Sequence, residues 1–521
     1  MLSFTLVMTT EDAQLPPHER ISDAAAQSHP PGLRVLFFTE MWERFSYYGM
    51  RTLLVLFMTT EILRGDNGGL GFTDELATAI YGIYSALVYL MALPGGWLAD
   101  RLLGMQRSVW YGGIIIMLGH FTLAIPALWA FFAGLGLIIL GTGLLKPTIS
   151  GIVGELYPEG GARRDAGFTI YYMGINLGAF LGPLVCAFLG ENYDWHLGFA
   201  AAGVGMFFGL LQFRLSRHQL GGAGLEPAAP PAADARPAFL RRVIVGAGVV
   251  LVACLTIGVL AGQGRLAIDA VAVAGQASVL ILVIAVGFFA YVFLLGGLSS
   301  EEKQRTVVIV ILFFATAVFW AGFEQSGSSL NLFAARFTDR AFLGNLFPEG
   351  LHPAGWYQSL NPLFIIALAP VYAAMWVGLA RRYLEPSIPV KFALGLAIMG
   401  LGFLTMYFAA GIALSGEQAA PMWLISTFLL HTMGELCLSP VGLSATTKLA
   451  PPRFKSQMMG IWFLGSALGN LIAGLLAGNA SSDGFEGMQS IYLNIFLTSV
   501  GAGLLLFALS GSVKRLMHGV E

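Results

Sequence analysis

The sequence from residue 34 to residue 58 reads RVLFFTEMWERFSYYGMRTLLVLFM, a mostly apolar run whose interior contains Glu40, Glu43, Arg44 and Arg51. A helix that crosses a bilayer needs about 20 predominantly apolar residues, so this stretch predicts a membrane-spanning helix. A charged side chain that faces lipid at the centre of such a helix costs about 3 kcal/mol. Four of them in one span indicate that one side of this helix lines a polar interior.

The composition of the whole chain agrees with a membrane location. Of the 521 residues, 56% are hydrophobic and only 11% are charged, whereas soluble domains have about 25% charged residues. Because a soluble globule could not cover this apolar excess, we predict an integral membrane protein whose surface contacts lipid. The net charge of −2 argues against nucleic acid as a partner.

Apolar stretches of spanning length predict fourteen transmembrane helices and an all-α polytopic fold. We divide the chain into an N-terminal tail (1–33), a six-helix bundle (34–217), a linker rich in Pro, Gly and Ala (218–238), an inserted two-helix hairpin (239–297) and a second six-helix bundle with a short tail (298–521). Two such bundles predict a site between them at the middle of the membrane.

The positions of the 28 Lys and Arg residues predict the orientation. Four of them fall on one predicted side, three lie within spans, and the other 21 fall on the side shared by both termini. Because cytoplasmic loops are enriched in cations, both termini are predicted to lie in the cytoplasm, with the protein in the cell inner membrane.

Seven ionisable residues lie inside predicted spans, which favours a functional pathway over simple helix-to-helix contacts. They are Glu40, Glu43, Arg44, Arg51, Lys146, Glu324 and Glu435. At 100° per residue, Glu40, Arg44, Tyr47 and Arg51 fall within about 60° of one another on the first helix. Carboxylates, guanidinium groups and a phenol therefore share one face of that helix.

Two of these charges lie in helices that Gly and Pro interrupt. Lys146 precedes Pro147 in GTGLLKPTISG, and Glu435 lies between Gly434 and Pro440 in GELCLSP. Interrupted helices in corresponding positions of two halves indicate a central binding site.

The segment GGWLADRLLGMQR (95–107) joins the second and third predicted helices on the cytoplasmic side. It resembles the signature loop of the major facilitator superfamily, which implies that fold for the two bundles. In that superfamily such an acid helps to hold the halves together, so the resemblance implies a gating role for Asp100.

Residues 40–49, EMWERFSYYG, resemble the ExxERFxYYG motif of the proton-dependent oligopeptide transporter (POT) family. Similar stretches are FTIYYMGINLGAF at 168–180, GTGLLKP, FWAGFEQ at 319–325, SLNP at 359–362 and GELCLSPVG at 434–442. The likeness covers both six-helix halves, and bacterial members of the family also carry an extra hairpin. The chain is therefore identified as similar to a bacterial member of this family.

The resemblance implies a role for each matching residue. Glu40, Glu43 and Arg44 would couple protons, and Glu324 would pair with a cation in a gate to which Lys146 also belongs. The implied substrate-binding residues are Arg51 and Lys146 for the peptide carboxylate with Asn176 nearby, Glu435 and Asn361 for the amino terminus, Tyr47, Tyr48 and Tyr89 for the peptide backbone, and Trp320 and Trp462 for side chains. At the outer end of the seventh transport helix the family's acidic gate position corresponds to Ala335, which leaves the outer ion pair open.

Side-chain chemistry agrees with a peptide substrate. The ends of an extended di- or tripeptide lie roughly 5 to 9 Å apart, and its opposite charges need one positive and one negative wall. Arg51 and Lys146 supply the first and Glu435 the second. By residue type alone, helix packing is the favoured role for these tryptophans and asparagines.

The hypothesis is a proton-coupled symporter that imports di- and tripeptides by alternating access, with protons as the coupling ion and no cofactor. A monomer is sufficient for this mechanism. A carrier of nitrate or a drug-like anion on the same scaffold and a membrane peptide sensor stay open as alternatives. No catalytic residues and no metal ligands are predicted, because the sequence contains neither GxSxG nor HExxH and its three Cys lack metal spacing.

Overall fold

The computed structural model describes residues 28–62, 67–158, 161–232, 234–263, 265, 268–347, 350–482 and 484–519. Residues 1–27 of the predicted tail lie outside these ranges. Within them the chain is almost entirely helical, and the one extended pairing is an isolated bridge between Thr338 and Ala419.

Sixteen α-helices account for most of the described chain. They are α1 Pro31–Thr59, α2 Asp74–Leu90, α3 Ala92–Leu98, α4 Met105–Leu123, α5 Leu128–Glu155, α6 Gly161–Asn192, α7 Trp195–Ser216, α8 Arg236–Gly262, α9 Ala270–Leu295, α10 Ser300–Phe323, α11 Ser329–Phe337, α12 Leu360–Arg381, α13 Ile388–Leu414, α14 Pro421–Leu449, α15 Lys455–Ser482 and α16 Gly484–Leu516. Short 3₁₀ or π turns, including Ala99–Leu103, Glu324–Gly327 and Ala354–Ser359, join several of them into longer rods.

Eleven helical segments of the described chain are long and apolar enough to cross a membrane. The three remaining predicted spans correspond to α1, α4 and α8, which are helices of 29, 19 and 27 residues. Helix α1 contains the four interior charges that set the first span apart. The all-helical, multi-pass architecture is confirmed, and the exact number of fourteen spans stays a prediction.

The helices pack as two bundles that meet along α2 and α15 and along α6 and α12. In the first bundle α1 packs on α6 and α7, and in the second α13 packs on α14 and α16. At the crossing of α2 with α15, a Cβ atom on Gly82 would lie 3.2 Å from Gly474 Cα. Two glycines therefore let the backbones of the two bundles touch.

The inserted hairpin lies at the edge of the molecule. Helix α9 packs against α2 and α15, and Trp97 of α3 contacts Phe239 of α8 with ring centroids 5.2 Å apart. Most described side chains of α8 are exposed. An exposed face of Val, Leu and Ile suits contact with lipid.

Part of the segment predicted as a linker is held in place by hydrogen bonds. Gln106 Nε2 donates to Ala223 O at 2.7 Å, and Glu155 Oε2 accepts from Gly224 N at 2.6 Å. Further on, Ala229 N donates to Asp100 O at 2.9 Å. Polar side chains at the ends of α4 and α5 therefore bind the backbone of this linker.

Candidate substrate and ion-coupling site

The rod formed by α10 and α11 breaks where its buried carboxylate lies. Helix α10 ends at Phe323, and the 3₁₀ turn Glu324–Gly327 follows. The break ends at Ser328, whose φ of −121° and ψ of −100° are not helical. Helices interrupted in this way bring backbone and side-chain polar groups to binding sites within the membrane.

Arg51 of α1 joins this break to the first bundle through a buried ion pair. Arg51 Nη2 donates to Glu324 Oε2 at 2.6 Å and to Ser326 Oγ at 3.1 Å. Arg51 is 5% exposed and Glu324 is 4% exposed. Two charges at this depth require each other, because removal of one partner would leave the other buried without compensation.

Tyr81 of α2 is a third member of this pair that sequence reasoning missed. Its hydroxyl accepts a hydrogen bond from Arg51 Nε at 2.5 Å and lies 3.4 Å from Glu324 Oε2. Tyr81 belongs to YGIYSALVY, in which Tyr89 alone was selected. The aromatic series was a signal, but the contact depends on how α2 packs against α1 and α10.

Glu40, Glu43 and Arg44 form a second charged cluster that lies on α1 alone. Arg44 Nε donates to Glu40 Oε1 at 2.7 Å and lies 2.8 Å from Glu43 Oε2. All three side chains are buried. Within the described chain, Glu40 Oε2 and both carboxylate oxygens of Glu43 have no hydrogen-bond partner.

Lys146 of α5 lies against an aromatic ring. Its ammonium is 3.9 Å from the centroid of the Tyr89 ring, which is a favourable cation–π distance. The structure therefore pairs Glu324 with Arg51, whereas Lys146, the other cation proposed for the gate, contacts Tyr89.

Glu435 of α14 is held by an amide from the neighbouring α12. Asn361 Nδ2 donates to Glu435 Oε2 at 2.9 Å and to Thr432 Oγ1 at 3.0 Å. Asn361 follows the 3₁₀ turn Ala354–Ser359, so SLNP places its amide at the start of α12. The asparagine thus orients a half-buried carboxylate.

A cavity of about 220 Å³ lies between the bundles and is lined by side chains from both. Its lining includes eight of the predicted site residues: Tyr48, Arg51, Tyr89, Asn176, Trp320, Glu324, Asn361 and Glu435. Tyr172, Gln358, His431 and Ser439 also line it and were not predicted. Arg51 on one bundle and Glu435 on the other give this cavity a positive and a negative side.

The other predicted residues lie outside the described lining of the cavity. These are Glu40, Glu43, Arg44, Tyr47, Lys146, Trp462 and Asp100. Tyr47 packs edge to face on Tyr48 with centroids 5.3 Å apart, and Trp462 does the same with Phe392 at 6.4 Å. Asp100 is exposed in the π turn Ala99–Leu103, and its gating role stays a prediction.

A group of contacts joins the bundles at the end that carries the connections 59–74 and 337–354, which we call the distal end. Glu191 at the end of α6 accepts from Ala354 N at 2.7 Å and from Gly355 N at 2.8 Å. Asp74 and Arg336 form a bidentate ion pair, with Arg336 Nη2 2.7 Å from Asp74 Oδ1. The position next to Ala335, rather than Ala335 itself, therefore carries an inter-bundle charge.

His352 packs beneath these distal contacts. It is 7% exposed, its Nδ1 lies 2.7 Å from Arg340 O, and its Nε2 lies 3.1 Å from the Tyr357 hydroxyl. Burial, together with the positive charge of Arg340, lowers the pKa of His352 below its ordinary value of 6.5. The neutral imidazole is therefore the form that this packing favours.

In the described ranges, no group of three or more His, Cys, Asp or Glu side chains could hold a metal ion.

The chain is similar to characterised membrane transporters over almost its full length. It is 42% identical to peptide transporter YePEPT of Yersinia enterocolitica over 507 residues, which covers 95% of this chain and 96% of that protein. It is 40% identical to a di-/tripeptide transporter of Lactococcus lactis subsp. cremoris over 445 residues, which covers 85% and 88% of the two chains.

Solved structures show the same likeness in three dimensions. The crystal structure of peptide transporter POT in complex with sulfate superposes with a TM-score of 0.85 at 43% identity and covers 94% of this chain and 96% of that one. A POT family transporter in complex with a thioalcohol-conjugated peptide gives a TM-score of 0.82 at 33% identity, with coverage of 93% and 97%.

The family predicted from EMWERFSYYG is confirmed by a family model as well. The model described as the POT family matches residues 106–490, a range that excludes the quoted motif and so supports the assignment independently. Membership also confirms that the chain is a membrane transporter and not an enzyme. This protein belongs to the POT family.

Proposed function

We propose that this chain is a proton-coupled symporter that imports di- and tripeptides across the cell inner membrane, with both termini in the cytoplasm. The observation that carries the proposal is the cavity that Arg51 of one bundle and Glu435 of the other line together. A peptide backbone with a carboxylate and an ammonium end can bridge these two groups. Relatives named as peptide and di-/tripeptide transporters support the same substrate class.

The size of the cavity favours a small substrate. Its volume of about 220 Å³ is below the about 300–1,000 Å³ of typical ligand pockets. Tyr48, Tyr89 and Trp320 give it apolar walls without a matched partner for any one side chain. The cavity has opposite charges at its two ends and apolar walls that accept different side chains between them. Both features favour peptides over a simple anion such as nitrate, whose binding would not require Glu435.

The proposed coupling is an exchange of ionic partners. A proton on Glu43 or Glu40 releases Arg44 from its carboxylates, and the peptide carboxylate takes the place of Glu324 on Arg51. The freed Glu324 no longer joins α10 to α1, so the two bundles can rock inward. In this scheme Lys146, beside Tyr89, adds positive charge near the bound carboxylate.

The test is uptake of radiolabelled dialanine by proteoliposomes under an imposed inward proton gradient. We expect accumulation above the external concentration, inhibition by di- and tripeptides, and no inhibition by single amino acids or nitrate. Glu435→Gln should weaken uptake, while Glu75→Gln, which alters an exposed carboxylate on α2, is the matched control. Binding of dialanine without flux would favour a sensor, and inhibition by nitrate would favour the anion carrier.

A further inference from the structure

Tyr81 has a hydrogen-bonding arrangement that plays no part in the transport cycle proposed above. The side chain is fully buried at 0% exposure, and its hydroxyl lies between the two members of an ion pair from different bundles. It accepts from Arg51 Nε at 2.5 Å and lies 3.4 Å from Glu324 Oε2. A phenol can accept one hydrogen bond and donate another at the same time.

The Tyr81 hydroxyl determines through which edge of the Arg51 guanidinium the Glu324 carboxylate can bind. The guanidinium has five N–H donors in a fixed plane, and a carboxylate binds it most strongly through two parallel bonds. Tyr81 occupies Nε, so Glu324 contacts Nη2 alone, which it shares with Ser326. The ion pair is therefore held at one point and not along an edge.

The remaining donor group of Arg51 is available to a ligand. Among the described residues, no hydrogen bond from Arg51 Nη1 is found, and the side chain lines the central cavity. A carboxylate that enters the cavity can bind Nη1 first and then displace Glu324 from Nη2. Tyr81 can meanwhile donate to the released Glu324.

We propose that Tyr81 is a positioning residue that keeps the pair of Arg51 and Glu324 displaceable by the substrate carboxylate. This inference rests on the proposed function of peptide transport and identifies a residue that controls how readily the substrate displaces Glu324. Without the hydroxyl, the buried Nε–H loses its acceptor, and Arg51 turns to present both Nε and Nη2 to Glu324. The substrate must then compete with a bidentate pair.

The experiment compares Tyr81→Phe with Tyr84→Phe in proteoliposomes. Tyr84 lies one turn away on α2, is 2% exposed, and its hydroxyl has no hydrogen-bond partner in the described chain, so its variant removes an equivalent buried oxygen. We expect Tyr81→Phe to raise the KM for dialanine about tenfold, equal to about 1.4 kcal/mol. The maximal rate of counterflow exchange should change by a smaller factor than KM. Tyr84→Phe should have the same KM and the same maximal rate as wild type.

A double-variant cycle separates positioning from a general loss of structure. With Glu324→Gln no carboxylate competes for Arg51, so adding Tyr81→Phe should change dialanine affinity by less than about twofold. The two effects would then be strongly non-additive. A KM unchanged in Tyr81→Phe, or an equal loss in both backgrounds, would overturn the proposal.

Folding of each variant is checked by size-exclusion chromatography and thermal melting. If Tyr81→Phe does not fold, Gly327→Ala provides the test. A Cβ atom there would lie 3.1 Å from Arg51 Nε and still closer to the Tyr81 hydroxyl, so it should push the two apart and raise KM. A wild-type KM in that variant would contradict the proposal. If wild-type protein does not transport dialanine, it is the proposed function that fails.

Discussion

Helix α1 carries two charged regions that differ in how they reach the rest of the molecule. The cluster of Glu40, Glu43 and Arg44 is confined to one helix and leaves carboxylate oxygens without hydrogen bonds in the described chain. Arg51, two turns further on, is bound by groups from the other bundle and from α2. Both regions are buried and charged, yet only the second directly joins the bundles.

The difference shows that burial of charge serves two purposes on the same helix. A cluster within one helix can change its protonation without breaking an inter-bundle contact, since each of its partners moves with it. A pair between bundles must break when the bundles separate. We therefore expect substitutions in the first region to affect coupling to protons, and substitutions in the second to affect substrate binding and opening.

The largest expected effect is that of Glu43→Gln on accumulation. One charge moving through 100 mV supplies about 2.3 kcal/mol, which sustains a concentration ratio of about 50-fold. Because a glutamine cannot carry the proton, Glu43→Gln should reduce the steady-state ratio of dialanine to about 1. Counterflow exchange should persist, since the Arg51 pair is untouched. Accumulation equal to wild type would contradict the assignment of this cluster to coupling.

Replacing Arg44 and Arg51 in turn by lysine tests the difference between the two charged regions of α1. Arg44 contacts both of its glutamates through Nε, whereas Arg51 uses Nε and Nη2 at once. An ammonium group can replace one donor but not a planar fork. With charge-assisted hydrogen bonds worth about 1.5–3 kcal/mol, Arg51→Lys should raise the dialanine KM about 10- to 100-fold.

The matched control is Arg44→Lys, which should raise KM less than about threefold because one nitrogen atom makes its contacts. Initial uptake rates over a range of dialanine concentrations give both values. Equal increases at the two positions would show that the distinction between the two regions is wrong.

The smallest expected effect concerns His352 at the distal end. Burial lowers its pKa, so its contribution to stability is present above the unfolded pKa of about 6.5 and is lost as pH falls below that value. Wild-type protein should therefore lose more thermal stability between pH 7.5 and pH 5 than His352→Gln does. An equal loss of thermal stability in the two proteins over this pH range would show that protonation of His352 does not destabilise the fold.

The parts of the fold and site that sequence could predict are those set within one helix. Apolar length determined the spans, and the 100° repeat placed Glu40 and Arg44 on one face, where a hydrogen bond joins them. Contacts between bundles could not be predicted in this way. The partner of Arg51 depends on the break at Glu324–Gly327 and on the position of α2, and neither appears in a periodic pattern.

The same limit explains why Tyr81 was missed and why the contact of Lys146 with Tyr89 was not predicted. Aromatic residues are common in membrane helices, so Tyr81 has no special signal until Gly327 opens space for its hydroxyl next to Arg51. Lys146 is a buried cation by sequence, but its direction depends on the turn before Pro147. In the structure it meets the ring of Tyr89.

The contact between Glu191 and the peptide groups of residues 354 and 355 provides a natural reporter of the transport cycle. Two backbone amides are covered by a carboxylate from the opposite bundle, so their protons can exchange with deuterium only when that carboxylate moves away. Mass spectrometry after brief labelling would then count openings at this end in unmodified protein, with no dye or cysteine introduced.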